Sequence, residues 1–184
     1  MIGELPRSLE LSGRQIAINP DYRIALNLFD VFSDVDYTPL EKAYICVRSI
    51  YEEDIPDELF EEAVRKAYWF LDGGDIPKSE PSKVKIIDYK HDESMMFSAI
   101  NKAAGCEVRS LPYMHWWTFL GFFGEIGDGL FSVVLNIRSK KASGKKLEKW
   151  EYEFLRKHKE LVILRSAEER AAIAETEEFL KTIT

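Results

Sequence analysis

RSLPYMHWWTFLGFFGEIGDG, residues 109–129, holds two tryptophans, a tyrosine, three phenylalanines and a histidine in one run. Only 15 residues separate Arg109 from Glu125, and Pro112 and His115 interrupt them. A bilayer crossing needs about 20 predominantly apolar residues, so the run does not predict a membrane span. A helix that is apolar on every side is typical of the centre of a helical core. The run therefore predicts a central core helix that starts at Pro112.

The composition bounds the class of protein. With 184 residues, 46% of them hydrophobic and 12% aromatic, the chain predicts one globular domain rather than a disordered segment. Cys46 and Cys106 have neither the Cys-x-x-Cys nor a zinc-site spacing, which favours a reducing compartment. The first residues are charged and contain no apolar segment, so no signal peptide is predicted.

The N-terminal stretch predicts a short β-hairpin followed by a helix. SLEL and RQIAINP flank a turn at Ser12-Gly13, the pattern of two short strands joined tightly. Asn19-Pro20 then predicts a helix start, since Asn caps helices and Pro suits the first helical position. The apolar face predicted for this helix comprises Ile24, Leu26, Leu28, Phe29 and Phe32.

Two further helices precede a loop. Thr38 and Glu41 have the spacing of a capping box, which starts a second helix. Its predicted buried stripe comprises Leu40, Tyr44, Val47 and Ile50. A third helix is predicted from Ile55-Pro56 to Gly73-Gly74. Its apolar positions are Leu59, Ala63, Ala67 and Phe70. Residues 73–84 are rich in Gly, Pro and Ser and predict a flexible loop.

Beyond the loop the pattern stays helical. Asp88 is predicted to cap a helix that ends at Gly105, and another helix is predicted from Leu130 to Lys141. Ser143-Gly144 breaks the chain before the helical stretch 145–161. A capping box at Ser166 predicts a last helix. We therefore expect a mainly α domain over residues 1–164, with a C-terminal helix or tail at 165–184 and about eight helices in all.

Candidate catalytic and metal-binding residues have structural alternatives. His115 could act with Glu125 or Asp128, but ten residues of straight helix keep His115 and Glu125 apart. Asp88, His91 and Asp92 have a spacing that could hold a metal, yet an Asp-rich helix start gives the same pattern. Neither a phosphate-binding loop nor a hydrolase motif is present in the sequence. We expect no enzyme, no catalytic residue, no metal and no cofactor.

The charge is unevenly distributed along the chain. Residues 138–159 contain nine Lys or Arg and three Glu, an excess of +6 within a chain of net charge −7. Lysines next to Trp150 and Tyr152 could follow a nucleic-acid backbone. The acidic remainder opposes that interpretation, and a solvated helix face or a dock for an acidic partner helix fits better.

Several stretches together resemble the bacteriophage Gp-fifteen family of tailed phages and prophages of Gram-positive bacteria. They are LPRSLELSGRQIAINPDYR near the N-terminus, WFLDGG at 69–74, MFSAINKAAGCEVRSLPYMHWWTFLGFF at 96–123 and KKASGKKLEKWEYEF at 140–154. The resemblance extends from about residue 3 to about residue 160, and the last helix lies outside it.

The resemblance implies a protein of tail morphogenesis without enzymatic activity. It implies a tail-assembly chaperone that acts in the host bacterial cytoplasm and binds the tape-measure protein until the tail-tube protein replaces it. A homo-oligomer is possible, and no membrane partner is expected. The alternatives are a structural tail component that stays in the virion and, with less support, a nucleic-acid-associated phage protein.

The residues that we expect to contact a partner form an aromatic and a basic set. A helical protein can bind an apolar-faced helix in a groove, and positive charge can steer acidic partner faces. The aromatic set comprises Tyr113, Trp116, Trp117, Phe119 and Phe123. The basic set comprises Lys140, Lys141, Lys145, Lys146 and Lys149.

Overall fold

The fold begins with a two-stranded hairpin and continues as helices. The structure is a computed structural model, and it describes residues 3–74 and 85–164. Strands β1 (Ser8–Leu11) and β2 (Arg14–Ala17) pair antiparallel around Ser12-Gly13. The predicted hairpin is therefore confirmed. Leu9, Leu11 and Ile16 point into the core, so one face of the hairpin packs against the helices.

Eight α-helices follow within the described residues, which confirms the mainly α class. They are α1 (Tyr22–Ser33), α2 (Pro39–Ile50), α3 (Phe60–Leu71), α4 (Glu93–Ala104), α5 (Trp116–Gly124), α6 (Leu130–Ala142), α7 (Lys149–Lys157) and α8 (Lys159–Val162). Short 3-10 turns occupy Asp57–Leu59 and Val108–Ser110. None of the helices in the described ranges has the length and apolarity that crossing a membrane requires. The predicted capping box at Ser166 and the loop residues 75–84 lie outside the described residues.

The predicted starts of α1, α4 and α5 are wrong by a few residues. Helix α1 begins at Tyr22 because Asp21 caps it, while the Pro20 carbonyl accepts the N–H of Trp116 at 2.7 Å. Helix α4 begins at Glu93 rather than near Asp88, whose carboxylate accepts the His91 N–H within the preceding turn. Helix α5 begins at Trp116 rather than Pro112. In each case tertiary hydrogen bonds or a later cap hold the residues that the local pattern assigned to the helix.

The buried face of α2 also differs from its prediction. Thr38 and Glu41 form the expected capping box. Leu40 and Tyr44, however, are 71% and 59% exposed, and the buried residues are Cys46, Val47 and Ile50. The first half of α2 extends past the core, so its apolar side chains face outward. The buried residues of α2, which packs against α1 and α3, all lie in its second half.

The predicted start of the third helix at Ile55-Pro56 is also wrong: a 3-10 turn occupies Asp57–Leu59, α3 begins at Phe60, and Leu59 is only partly buried. In α3, Ala63, Ala67 and Phe70 are buried, and Gly73 and Gly74 end the helix with positive φ. On α1, Leu28 is buried, and the other predicted apolar residues pack partly buried against the core. Helix α6 extends one residue beyond its predicted end. The stretch 145–161 forms two helices, because the chain turns at His158.

The Arg138 guanidinium holds the second half of the fold together. It forms two hydrogen bonds with the Asp92 carboxylate, at 2.6 and 2.8 Å. Its other N–H groups donate to the carbonyls of Ile86, Leu161 and Val162. All five donors of this buried side chain thus have acceptors, which ties α4 and α8 to α6.

Candidate partner-binding surfaces

The two tryptophans of the aromatic run complete the end of α3. The indole N–H of Trp116 donates to the Leu71 carbonyl, and that of Trp117 donates to the Phe70 carbonyl, each at 2.8 Å. These are carbonyls of the last turn, which have no partner within the helix. The two most distinctive stretches of the sequence, WFLDGG and HWW, are therefore in direct contact. Their first role is to hold α5 against α3.

Gly74 lies where the tryptophans approach the chain most closely. Its φ is +86°, and a Cβ at this position would lie 2.7 Å from Cη2 of Trp117. Trp117 also meets Trp69 edge to face, with ring centroids 5.6 Å apart. A glycine is required here for both its backbone conformation and its lack of a side chain.

His115 is a structural residue at the start of α5. Its Nδ1 accepts the Trp117 N–H at 3.0 Å, and its Nε2 lies 2.9 Å from the Pro6 carbonyl, to which the neutral ring donates. Burial lowers the pKa of His115 below 6.5, which favours this neutral form. Glu125 follows the other end of α5, so the helix separates it from His115. The imidazole fixes the N-terminal segment against α5.

The carboxylates proposed as metal ligands have protein partners. Asp92 pairs with Arg138, and its Oδ2 also accepts the N–H of Asp88 at 2.9 Å. Asp88 accepts from Lys85 and from the His91 N–H. Within the residues that the structure describes, no three His, Cys, Asp or Glu side chains are grouped so as to hold a metal ion. Asp88, His91 and Asp92 therefore form the hydrogen bonds of the turn before α4.

The predicted aromatic partner residues divide between core and surface. Trp116 and Phe119 are each 1% exposed, so neither offers a surface to a partner in this structure. Trp117 and Phe123 are partly buried against the core. Tyr113 is exposed. The burial follows from the local geometry, since Phe119 stacks on Tyr22 with ring centroids 4.7 Å apart.

A groove lies beside these aromatics, between the hairpin and α3. We call it the hairpin groove; its volume is about 750 Å³. Its lining residues are Pro6, Ser8, Leu9, Glu10, Gln15, Arg65, Lys66, Tyr68, Trp69 and Asp72. Trp69 forms part of the groove wall, and its ring contacts the ring of Trp117. The aromatic run therefore packs against the wall of the groove. The rim carries both charge signs. Desolvation raises the pKa of the Asp72 carboxyl above its usual value.

The predicted basic residues mostly lie on one exposed region, with Lys140 as the exception. The Lys140 ammonium contacts the buried Glu151 carboxylate at 2.6 Å. That hydrogen bond, with one from the Glu148 backbone, holds the pKa of Glu151 below its usual value. Lys141, Lys145, Lys146 and Lys149 are exposed. Together with Arg156, Trp150 and Tyr152 these four lysines define the basic surface; Trp150 is 47% exposed and Tyr152 53%.

A second apolar groove, on α2, was not predicted. Its volume is about 500 Å³, and we call it the acidic groove. It is lined by Tyr37, Leu40, Glu41, Tyr44, Ile45, Asp57 and Phe60. The helical spacing of Leu40 and Tyr44 indicated a buried stripe, and only the packing of α2 shows that these residues stay outside. No local signal separates Leu40 and Tyr44 from Val47 and Ile50, which share the predicted stripe and are buried.

The comparisons with known proteins identify the family. A family model described as Bacteriophage Gp15 protein matches residues 1–164. The chain belongs to the bacteriophage Gp15 protein family. The match covers the hairpin groove, the basic surface and the acidic groove of this Gp15 family member. Comparison with curated proteins and with solved structures finds no match.

Proposed function

We propose that this Gp15 family protein acts in phage tail morphogenesis as a chaperone for the tape-measure protein. The hairpin groove carries the proposal: it combines an apolar wall that includes the exposed Tyr68 with a charged rim on a bacteriophage protein. A tape-measure protein is a long, largely helical chain with apolar faces. Another protein must bind these apolar faces and keep the chain soluble until the tail tube assembles around it. We place this activity in the cytoplasm of the host bacterium.

The proposed binding mode is a helix lying in the hairpin groove. Tyr68 and Trp69 offer an aromatic wall on α3, and Pro6 offers an aliphatic contact from the hairpin side. Arg65 and Lys66 lie on the rim with Glu10 and Asp72, so the groove can meet partner charges of both signs. Amphipathic helices bind grooves of this kind through apolar anchors spaced three and four residues apart.

Weak binding, repeated along the partner, suits this role. A partner with many similar apolar segments binds many copies, and avidity gives stable coverage without strong single contacts. Tail-tube subunits can then displace the copies one at a time. The exposed lysines of the basic surface would raise the association rate with acidic segments of the partner.

The test is co-expression with the tape-measure protein of the same phage or prophage, scored by solubility and co-purification. We expect the tape-measure protein to be soluble and to co-purify only when this chain is present. Tyr68→Ala removes part of the groove wall and should reduce co-purification several-fold. Tyr113→Ala is the matched control, because Tyr113 and Tyr68 are similarly exposed, at 42% and 38%, and Tyr113 lies outside the groove.

The outcomes separate the candidate sites and roles. If Tyr113→Ala reduces co-purification and Tyr68→Ala does not, the binding site is the aromatic run and not the hairpin groove. If the tape-measure protein stays insoluble with wild-type protein, the chaperone role is excluded. Mass spectrometry of purified particles then tests the alternative, a structural tail component, which requires this chain in the mature virion.

The nucleic-acid alternative has its own observation and its own test. The basic surface places exposed lysines beside Trp150 and Tyr152, an arrangement that single-stranded nucleic acid can use. Binding of that kind falls steeply with rising salt. A single-stranded oligonucleotide titrated at two salt concentrations should show no binding by this acidic chain, and steep salt-dependent binding would instead favour the alternative.

A further inference from the structure

A second charged surface, opposite in sign to the basic surface, follows helix α2. Residues 52–62 contain seven acidic side chains and no Lys or Arg: Glu52, Glu53, Asp54, Asp57, Glu58, Glu61 and Glu62. Arg14 pairs with Glu53 and Arg48 with Asp54. The other five have no ion pair among the described residues. We call residues 52–62, together with the acidic groove beside them, the acidic surface.

The segment 138–159, which contains the basic surface, also carries an excess of unpaired charge. Within residues 138–159, Arg138 and Lys140 are committed to Asp92 and Glu151. The other seven basic residues face the two exposed glutamates, Glu148 and Glu153, which leaves an excess of +5. Once Glu53 and Asp54 are paired, the segment 52–62 carries −5, and Glu41 of the acidic groove adds one more negative charge. Two segments of one chain thus carry excess charges of similar size and opposite sign.

The two surfaces do not neutralise each other within one copy. None of the ion pairs found in residues 3–74 and 85–164 joins the segment 138–159 to the segment 52–62. Helix α7 packs against α8, whereas the acidic segment leads from α2 into α3. The charge of each surface is therefore available to attract an oppositely charged surface of another molecule.

The apolar features of the two surfaces are complementary as well. The basic surface projects Trp150 and Tyr152, which are 47% and 53% exposed. The acidic surface contains a groove of about 500 Å³ between Leu40, Tyr44 and Phe60, with Glu41 and Asp57 in its lining. An aromatic side chain surrounded by lysines matches an apolar groove surrounded by carboxylates. Exposed aromatics of this kind are frequent anchors at interfaces.

We propose that the basic surface of one copy binds the acidic surface of a second copy of this chain. The contact joins two different surfaces, so it is heterologous: one copy of the pair keeps its acidic surface unused, and the other keeps its basic surface unused. Repetition of the contact closes into a ring or continues as a helical row. This inference goes beyond the chaperone role and does not depend on it.

The test is sedimentation velocity of the full-length protein at two salt concentrations. We expect self-association at about 0.05 M NaCl and its loss at about 1 M, where the Debye length falls to roughly 3 Å. Lys146→Glu with Lys149→Glu should weaken the association by at least about tenfold, and so should Asp57→Lys with Glu58→Lys. Lys90→Glu with Lys102→Glu is the matched control, since it makes the same charge change as the first variant on residues outside both surfaces.

A mixture of the two charge-reversed proteins is the decisive measurement. Alone, each variant has one surface whose excess charge has fallen from five to about one, and it should sediment as a monomer. Together, the native acidic surface of one meets the native basic surface of the other, so the mixture should associate again. A wild-type monomer at low salt would overturn the proposal. So would equal loss in the Lys90 and Lys102 control, or a mixture that stays monomeric.

Discussion

The indole N–H of Trp116 donates to the carbonyl of Leu71 at 2.8 Å, although 45 residues separate the two along the chain. Trp117 makes the same contact with the preceding carbonyl, that of Phe70. The end of α3 is thus closed by side chains of α5 rather than by its own sequence. Because Trp69, on the last turn of α3, lines the hairpin groove, this pair of bonds also positions the proposed binding site.

The two tryptophans should differ in what their N–H groups contribute to stability. The Phe70 carbonyl also accepts the Gly73 N–H at 3.1 Å, whereas the bond from Trp116 to Leu71 is fully buried. Trp116→Phe should therefore lower the free energy of unfolding by about 2–3 kcal/mol, and Trp117→Phe by about 1 kcal/mol. Urea unfolding followed by circular dichroism measures both. Equal losses of stability in the two variants would show that the hydrogen bond from the Gly73 N–H to the Phe70 carbonyl does not compensate for the loss of the Trp117 N–H.

Gly74→Ala should destabilise the protein through a clash as well as through backbone strain. The added Cβ would lie 2.7 Å from Trp117. Gly144→Ala is the control, because Gly144 also has positive φ but no atom within 4 Å of the added Cβ. We expect a loss of about 1 kcal/mol for Gly144→Ala from strain alone. Gly74→Ala should lose a further 1–3 kcal/mol, about the cost of overpacking.

The measurement is the thermal unfolding midpoint of both glycine variants, read together with tryptophan fluorescence. A displaced Trp117 should change the emission of Gly74→Ala and leave that of Gly144→Ala as in the wild type. Equal destabilisation of the two variants, with unchanged emission, would show that the added methyl group at position 74 causes no loss of stability through Trp117.

Asp92→Asn should be strongly destabilising, because it leaves the Arg138 charge buried without its counter-charge. Both side chains are almost fully buried, with 5% and 0% exposure for Arg138 and Asp92. Breaking a buried pair in this way costs about 3–5 kcal/mol. Glu53→Gln breaks the exposed pair with Arg14 and should change stability by no more than about 0.5 kcal/mol. Urea midpoints of the two variants test the difference.

A small effect of Asp92→Asn would mean that Arg138 is held by its three carbonyl acceptors alone. Arg138→Met then provides the second measurement. It removes the charge together with its hydrogen bonds and leaves the Asp92 carboxylate unpaired. We expect a loss comparable to that of Asp92→Asn, and tolerance of both variants would contradict the role assigned to this pair.

Stability should fall between neutral and mildly acidic pH through His115. Because burial lowers the pKa of His115 in the folded protein below 6.5, the unfolded chain binds the proton more readily. The contribution of the neutral ring is complete above the unfolded pKa, and it is lost as the pH falls through the folded pKa. His115→Asn keeps a side chain able to cap α5 but does not titrate.

The measurement is the free energy of unfolding at about pH 7.5 and about pH 5.5, a range in which His is the side chain that ordinarily titrates. The wild type should lose more stability over this range than His115→Asn. Parallel curves for the wild type and His115→Asn would contradict the assignment.

Local signals predicted the parts of the fold that depend on near neighbours. The hairpin turn at Ser12-Gly13, the capping box of Thr38 and Glu41 and the glycines after α3 are all set by residues within one turn of each other. They were predicted correctly for that reason. The helix starts before α1 and α5 were missed because the backbone groups of Pro20 and Trp116 bond to each other across the fold.

The candidate surfaces could be predicted only in part. The lysines of the basic surface were visible in the sequence, because exposed charge is the default for Lys. The aromatic set was not separable by sequence: Trp116 and Trp117 are adjacent, yet only one is fully buried. Leu40 and Tyr44 have the spacing of a core stripe and are nevertheless exposed. Periodicity says which residues share a face, and the neighbouring elements decide whether that face is covered.

By itself the sequence determined a mainly α chain with an N-terminal hairpin, the glycines that end α3 and α4, and the sign of its charged segments, since propensity, capping and charge act over a few residues. Tertiary structure alone decided that WFLDGG receives the two indoles, that Arg138 joins Asp92 and that the hairpin and α3 enclose a groove. Each of these joins residues far apart in the chain. Their contact depends on how whole elements pack, which no local pattern encodes.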